Sequence, residues 1–407
     1  MSGVEVIHQV LSKSVYDSLA YSEGLSVDAI ISEMFNTIMK FERDQFLEMS
    51  RSLGLDNKGN GYYERFARAV EKYFTLHVPR DRDGVFKPFM LEVIKKQDQQ
   101  LLDLASILYR KGLTCHEIQE VLQDIFGKKL SEARISQLSG DLNEMRNAWL
   151  NRQLSPYYHC IFIDATYIPV RRDTVSKEAY YVVLGVNDEM KREVLGIYNI
   201  PSESSSGWKD VFGHLKSRGL NLSGLFVCDE LSGIQDAILD EFPKSRVQFC
   251  TVHKKRNVLS KVRPKDKKII AEEMKQIFPG MYDNTNKQEA LQYLQNFVDK
   301  WSKIYPAVKK SLINKNTDNY FTYLDYPNSI RGCIYTTNWL ERLNRDIKRT
   351  TKIRNAFPNP ESALYLTTDV CMHVTDTTYK YAVPQFLRAK QELDEIKNLM
   401  LGRTQFC

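Results

Sequence analysis

The first fifty residues place Val27, Ile30, Ile31, Met34 and Ile38 at helical spacing, which predicts an amphipathic helical unit. Residues 57–88 break that pattern. An Asn-Gly pair, Pro79 and the run Arg80, Asp81, Arg82, Asp83, Gly84 read as turns with a short extended segment whose alternating charges face water. From 101 to 149 the periodicity divides into helices at 101–110, 116–126 and 131–149, with turns near Gly112 and Gly127 and with Thr114 and Ser131 as N-caps. That layout fits a helix-turn-helix unit whose third helix, carrying Arg134 and Gln137, would reach DNA; it also fits a plain helical bundle.

After Arg152 the pattern changes to short apolar, β-rich runs at 160–163, 180–186, 194–200, 225–228 and 247–249, with helical patterns at 208–218 and 234–242. Three strands in succession followed by strand, helix, strand predict a mixed sheet flanked by helices, an α/β fold. Helical periodicity returns from Pro264 to Asn328 as an inserted helical domain, and the sheet module resumes near Tyr335. The predicted divisions are an N-terminal helical, dimerisation or DNA-binding region (1–95), a helix-turn-helix domain (96–152), a first sheet part (153–263), a helical insertion (264–330) and a last part ending in a C-terminal helix (331–407).

A chain of 407 residues supports two or three domains, and 27% charged with 43% hydrophobic residues is ordinary for a globular protein. No apolar run approaches 18 residues and the first residues lack a basic segment ahead of an apolar core, so no membrane partner and a cytoplasmic location are expected. Seven dispersed cysteines suit reduced thiols. The net charge is +6, but residues 1–50 hold three basic against eight acidic side chains, so the rest of the chain carries +11 and suits a polyanion.

Two apolar runs end in a carboxylate: Ile161-Phe-Ile-Asp164 and Leu225-Phe-Val-Cys-Asp229. A buried carboxylate costs several kcal/mol unless paired or metal-bound, so two in one sheet suggest a cation site; each alone also fits a turn-initiating Asp. A third acid stands at Glu341. There Leu340, Leu343 and Ile347 form an apolar helical stripe, and Glu341, Arg345, Lys348 and Lys352 share the opposite face. Six basic residues fall between Arg342 and Arg354, including Arg349, against one acid, Asp346. Oxygen donors alone favour Mg²⁺ or Mn²⁺, and two such ions serve in-line phosphoryl transfer, that is, DNA strand cleavage and joining. Residues 254–268 add eight basic side chains, among them Lys254, Lys255 and Arg256, as phosphate contacts or a solvated face. Trp208 could stack on a base or, more simply, pack. Cys250 and His253 form one Cys-x-x-His pair; a zinc site would need a second pair, and none is evident.

Asn60-Gly-Tyr-Tyr, Val78-Pro-Arg-Asp-Arg-Asp-Gly84, Phe162-Ile-Asp164, Asp229 with Gly233, Cys250 to His253, and Thr337-Asn338 through Glu341, Asn344 and Lys348 together resemble the mutator family of bacterial insertion-sequence transposases. The resemblance covers most of the chain. It implies an RNase H-like catalytic domain with a DDE triad, Asp164, Asp229 and Glu341, holding two Mg²⁺ or Mn²⁺ ions, with Asp164 bridging them. It also implies a homodimer in the bacterial cytoplasm or nucleoid, acting on double-stranded DNA at the terminal inverted repeats and at a target. Cys250, His253 and Asn338 belong to the shared motif; no metal role follows for Cys250 and His253, which suit a structural or DNA-positioning role near the active site or, more plainly, a core cysteine and a surface histidine. In one departure, Glu230 follows Asp229 where the family usually has Gly, making Glu230 a rival ligand or a modulator. A structure-selective nuclease of the same fold and a non-catalytic DNA-binding regulator are the alternatives.

Overall fold

The computed structural model describes residues 27–69, 72–126, 132–200, 204–280, 285–352 and 354–403; the side chains of 27, 28, 66–69, 72–74, 94–102, 110, 115, 125, 126 and 132–138, Arg134 and Gln137 among them, lie outside that description, as does the Ser131 cap. The chain divides into two compact units, residues 1–140 and 141–407.

In the first unit, helix α1 (Val27–Ser52) is followed by an antiparallel hairpin of β1 (Gly59–Ala69) and β2 (Lys72–Asp81), then by α2 (Phe89–Arg110) and α3 (Cys115–Phe126). The hairpin replaces the turns expected over 57–88. Its period of two explains why: Leu76 and Val78 are buried with Met39 of α1 and Leu91 of α2, while His77 between them is exposed. Asp81 closes its base, accepting from Asn57 Nδ2 at 2.7 Å and from the amides of Val85 and Phe86 at 3.1 Å. Thr114 caps α3 reciprocally with Glu117, its Oγ1 accepting from the Glu117 amide at 3.2 Å and its own amide donating to Glu117 at 2.6 Å. Ala105, Ile118 and Leu122 make the small core joining α2 and α3.

Helix α4 (Glu132–Leu150) precedes the sheet, which comprises β3 (Tyr157–Arg171), β4 (Val175–Val186), β5 (Arg192–Asn199), β6 (Leu222–Cys228) and β7 (Arg246–Phe249). In space the order is β5-β4-β3-β6-β7; β3, β4 and β5 pair antiparallel, and β6 and β7 add in parallel beside β3. Helices α5 (Ser205–Ser217) and α6 (Ile234–Glu241) alternate with β6 and β7. Past β7 the described chain is helical: α7 (Thr251–Ser260), α8 (Pro264–Ile277), α9 (Lys287–Trp301), α10 (Pro306–Leu312), two 3₁₀ turns, α11 (Asn328–Ile334), α12 (Asn338–Thr351), α13 (Pro360–Thr377), α14 (Pro384–Arg388) and α15 (Lys390–Leu401).

Residues 157–164 of β3 are all buried, as a strand covered on both faces must be. On one face Phe162 meets Trp339 of α12 at 5.1 Å; on the other, Tyr181 of β4 and Phe226 of β6 meet Trp208 and Phe212 of α5. Trp208 is fully buried and therefore packs. No helix among the described residues is long and apolar enough to cross a membrane, and the five described cysteines are free thiols.

Candidate active site

Parallel pairing of β3 with β6 runs to Phe162 opposite Val227 and stops. Two residues further on stand Asp164, midway along β3, which continues beside β4 to Arg171, and Asp229, just past the end of β6, both on the Phe162 and Val227 side by alternation, so the sequence expectation of a strand-end Asp164 is corrected: the acid sits where β6 stops and β3 runs on. Open α/β sheets place ligand crevices at such ends. The turn after Asp229 depends on Gly233 at φ +71°, where an added Cβ would come within 2.8 Å of the Ser205 backbone nitrogen.

Helix α12 supplies the facing wall. Leu340, Leu343 and Ile347 are buried, as the apolar stripe predicts, and anchor it above β3. That leaves Glu341 in the first turn, with Arg342, Asn344, Arg345 and Lys348, around a cleft of about 560 Å³ completed by Asp164, Ala165, Tyr167, His253, Arg256 and Asn338.

Asp164 is buried. Its Oδ1 accepts from the Ala165 amide at 2.9 Å and its Oδ2 from Asn344 Nδ2 at 3.0 Å. Those two bonds do not offset its surroundings: burial first, then Asp229 and more weakly Glu341, push the Asp164 carboxyl up to about 7, with His253 pulling the other way. Glu341 Oε1 accepts from Arg256 Nη1 at 2.8 Å, and the same guanidinium lies 3.4 Å from His253 Nε2. The other imidazole nitrogen, Nδ1, lies 2.6 Å from Asp229 Oδ1. Asp229 first, then Cys250, raise His253 to about 10. Burial would push the Cys250 thiol up, but His253 beside it outweighs burial and the thiol lies below its ordinary range.

Glu230 turns to a different set of partners. Its Oε2 accepts from Lys254 Nζ and Tyr320 Oη, both at 2.8 Å, and its Oε1 from Asn314 at 3.2 Å and Asn316 at 3.1 Å. These bonds tie it to the helical segment after α10, away from the cleft lining. Lys254 is correspondingly internal, with 4% of its side chain exposed and a second bond to the Ser311 carbonyl, so it departs from the basic row expected at 254–256. Lys255 is half-buried with its ammonium 5.5 Å from the Phe278 ring centroid, whereas Arg256 is exposed. Arg342, Arg345, Lys348, Arg349 and Lys352 are all exposed, the first three on the cleft. Asn338 is exposed at the head of α12.

Two cleft residues had no role assigned from the sequence. Asn344, named there only as part of the shared motif, stands three positions after Glu341 on the same helix and orients Asp164. Tyr167 is 53% exposed in the cleft, three residues beyond Asp164 on β3, and nothing in its apolar surroundings in sequence distinguishes it from a core aromatic.

Residues 4–382 match the sequence profile described as "Transposase, Mutator family". The chain is 35% identical to the transposase for insertion sequence element IS905 of Lactococcus lactis, over 82% of this chain and 86% of that protein. It is 30% identical to a probable transposase for an ISRM3-like element of Sinorhizobium fredii, over 95% and 96% of the two chains. It is 29% identical to the transposase for IS256 in transposon Tn4001 of Staphylococcus aureus, over 91% and 94%. With a profile match across most of its length and relatives of this identity over nearly their whole chains, the protein belongs to the Mutator family of transposases.

Proposed function

We propose that the chain cuts and joins DNA at the ends of an insertion sequence, with Asp164, Asp229 and Glu341 as its DDE triad on an RNase H-like core. The observation that carries this reading is that Asp164 of β3 and Glu341 of α12 line one cleft, and that Asp229 borders it through His253, a cleft residue whose Nδ1 is 2.6 Å from Asp229 Oδ1; burial, then Asp229 and more weakly Glu341, hold Asp164 up at about 7. The sheet order, three antiparallel strands followed by two parallel ones, supports the RNase H-like assignment.

The donor chemistry fits Mg²⁺ or Mn²⁺: the three acids offer oxygen donors alone, and the cations around them, Arg256, Arg342, Arg345 and Lys348, suit the phosphates such an ion would bring. When bound, two such ions would supply Lewis-acid stabilisation of the phosphate and activate a water or 3′-hydroxyl. The chain's own residues have separable tasks. Asn344 fixes Asp164 through Oδ2. Arg256 holds Glu341 at the cleft rim. Arg342, Arg345 and Lys348 offer phosphate contacts along one wall, and the exposed ring of Tyr167 offers a face for an unpaired base. Arg349 and Lys352 extend the cationic helix beyond the cleft. Arg134 and Gln137, on α4, are assigned to recognition of the terminal inverted repeats, and processing of two ends calls for a homodimer.

Labelled element-end duplexes incubated with the protein and Mg²⁺ or Mn²⁺ test this. Cleaved and joined products from wild type, lost in Glu341→Gln, are the expected result. Cleavage without joining would favour the structure-selective nuclease, and binding without chemistry the DNA-binding regulator.

A further inference from the structure

Beside the cleft of Asp164 and Glu341 lies a second donor set of different chemistry. The amide of Cys250 donates to the Cys228 carbonyl at 2.8 Å, so the last residue before α7 is pinned next to the strand end that carries Asp229. One helical turn later His253 comes back over both. As a result Cys250 Sγ, a ring nitrogen of His253 and a carboxylate oxygen of Asp229 all lie within 4.8 Å of one another.

Three details distinguish this cluster from ordinary packing. Cys250 is 1% exposed, yet its sulfur sits in a polar niche, 3.7 Å from the hydroxyls of Thr336 and of Thr337. Asp229 Oδ1 and His253 Nδ1 are shut off from solvent and face each other at 2.6 Å as an ion pair, with no further hydrogen-bond partner for either atom. The two lone pairs therefore point at one proton and at little else, and a cation that displaces that proton would bind both donors at once. Finally, the set is one sulfur, one nitrogen and one oxygen. Thiolate and imidazole select Zn²⁺ over the hard ions suited to oxygen-only donors.

We propose that Asp229, Cys250 and His253 form a zinc site adjoining that cleft, with three protein ligands and one position left for water or another small donor. Donors about 2.0 to 2.3 Å from a tetrahedral zinc stand about 3.3 to 3.7 Å from each other, so closing the cluster requires movements of about 1 Å or less. Binding releases the Cys250 proton and any proton on His253 Nδ1 to solvent. Because a carboxylate has two oxygens, Asp229 can serve this site and the cleft together. The assignment does not depend on the triad: Cys250 and His253 carry it whether or not the cleft performs strand transfer.

The test is a titration of the metal-stripped, reduced full-length protein with Co²⁺, followed by displacement with Zn²⁺. A near-ultraviolet thiolate-to-cobalt charge-transfer band that saturates at one equivalent, and that Zn²⁺ but not Mg²⁺ removes, is the expected result. Cys250→Ser should abolish the band and His253→Ala should weaken Co²⁺ binding about 100-fold, at or above the usual effect of removing an outer-shell partner. Asp164→Asn and Glu341→Gln should keep the band while losing strand chemistry, which separates failure of the zinc site from failure of the triad. Absence of a thiolate band in wild type, which needs no variant to fold, overturns the proposal, as does a band that persists in Cys250→Ser.

Discussion

Replacing Asp164 by Asn should make the metal-free protein more stable while removing its chemistry. The Asp164 carboxyl is raised from 3.8 to about 7, chiefly by burial and then by Asp229. At 1.36 kcal/mol per pH unit, holding it ionised costs the fold about 4 kcal/mol once the pH is above 7. Asn removes that charge but cannot accept at both former oxygens. The Ala165 amide can still donate to its Oδ1; its new NH₂ faces the Asn344 amide, whose own Oδ1 lacks a partner and can be turned inward. Turning Asn344 gives up the 3.3 Å bond from Asn344 Nδ2 to the Ala165 carbonyl, a loss of about 1 kcal/mol. The net gain is about 3 kcal/mol at pH 8, or about 6 °C for a unit of this size.

The pH dependence gives the mechanism away. Asp164 has a folded pKa above its unfolded value, so the wild-type penalty is absent when both states are protonated. It therefore grows from about pH 4 and levels off above about pH 7. Thermal melts of both proteins in EDTA, from pH 4 to pH 8, read this directly; adding Mg²⁺ at pH 8 should raise the melting temperature of wild type and leave that of Asp164→Asn unchanged. An Asn variant no more stable than wild type at pH 8, or a difference that does not shrink toward pH 4, would refute the reasoning.

His159 is buried and lowered to about 4 by desolvation, against the opposing pull of Asp188 and Asp394, while an unfolded histidine titrates near 6.5. Stability should therefore fall as pH drops from about 6.5 toward 4, by up to about 3 kcal/mol, and His159→Gln should flatten that limb of a urea-midpoint profile. Arg146 of α4 and Asp369 of α13 form a fully buried bidentate pair at 2.9 and 2.5 Å; Arg146→Ala should cost about 3 to 5 kcal/mol by calorimetry, and Arg146→Met with Asp369→Leu should recover most of it. Arg345→Gln and Lys348→Gln should each lower the slope of log binding constant against log salt for duplex DNA by about 1 without changing the protein's melting temperature; an unaltered slope would remove them from the phosphate path.

How much of this was written in the sequence differs by element. The five strands and the helices between them were legible because their apolar runs are bounded by turn residues. Strand lengths were not: β3 runs for 15 residues because pairing with β4 continues past Asp164 to Arg171, through Tyr167, Glu178 and Lys177, which do not read as sheet interior. The hairpin of the first unit was hidden by the alternating charges around Arg80 to Asp83, which masked the inward pair Leu76 and Val78. At the site, the two acids that close the apolar runs and the α12 faces followed from periodicity, but the continuation of β3 past Asp164 did not. The split between Asp229 and Glu230 did not, because it is decided by Lys254, Asn314, Asn316 and Tyr320, up to 90 residues away. Lys254 misleads for the same reason: a basic run shows charge, and only tertiary contacts show which member has turned inward.

The most direct test of the central claim compares wild type, Asp164→Asn, Asp229→Asn, Glu341→Gln and Glu230→Gln in one assay, measuring both binding to labelled element ends and Mg²⁺-dependent strand cleavage and joining. The first three variants should bind DNA as well as wild type does, yet lose about 1,000-fold or more in strand chemistry, equivalent to about 4 kcal/mol of transition-state stabilisation. Glu230→Gln should retain most of the activity, since Glu230 is engaged with Lys254 and Tyr320 rather than with the cleft. Full activity in Asp229→Asn with loss in Glu230→Gln would contradict the account, as would strand transfer that survives any of the three triad substitutions.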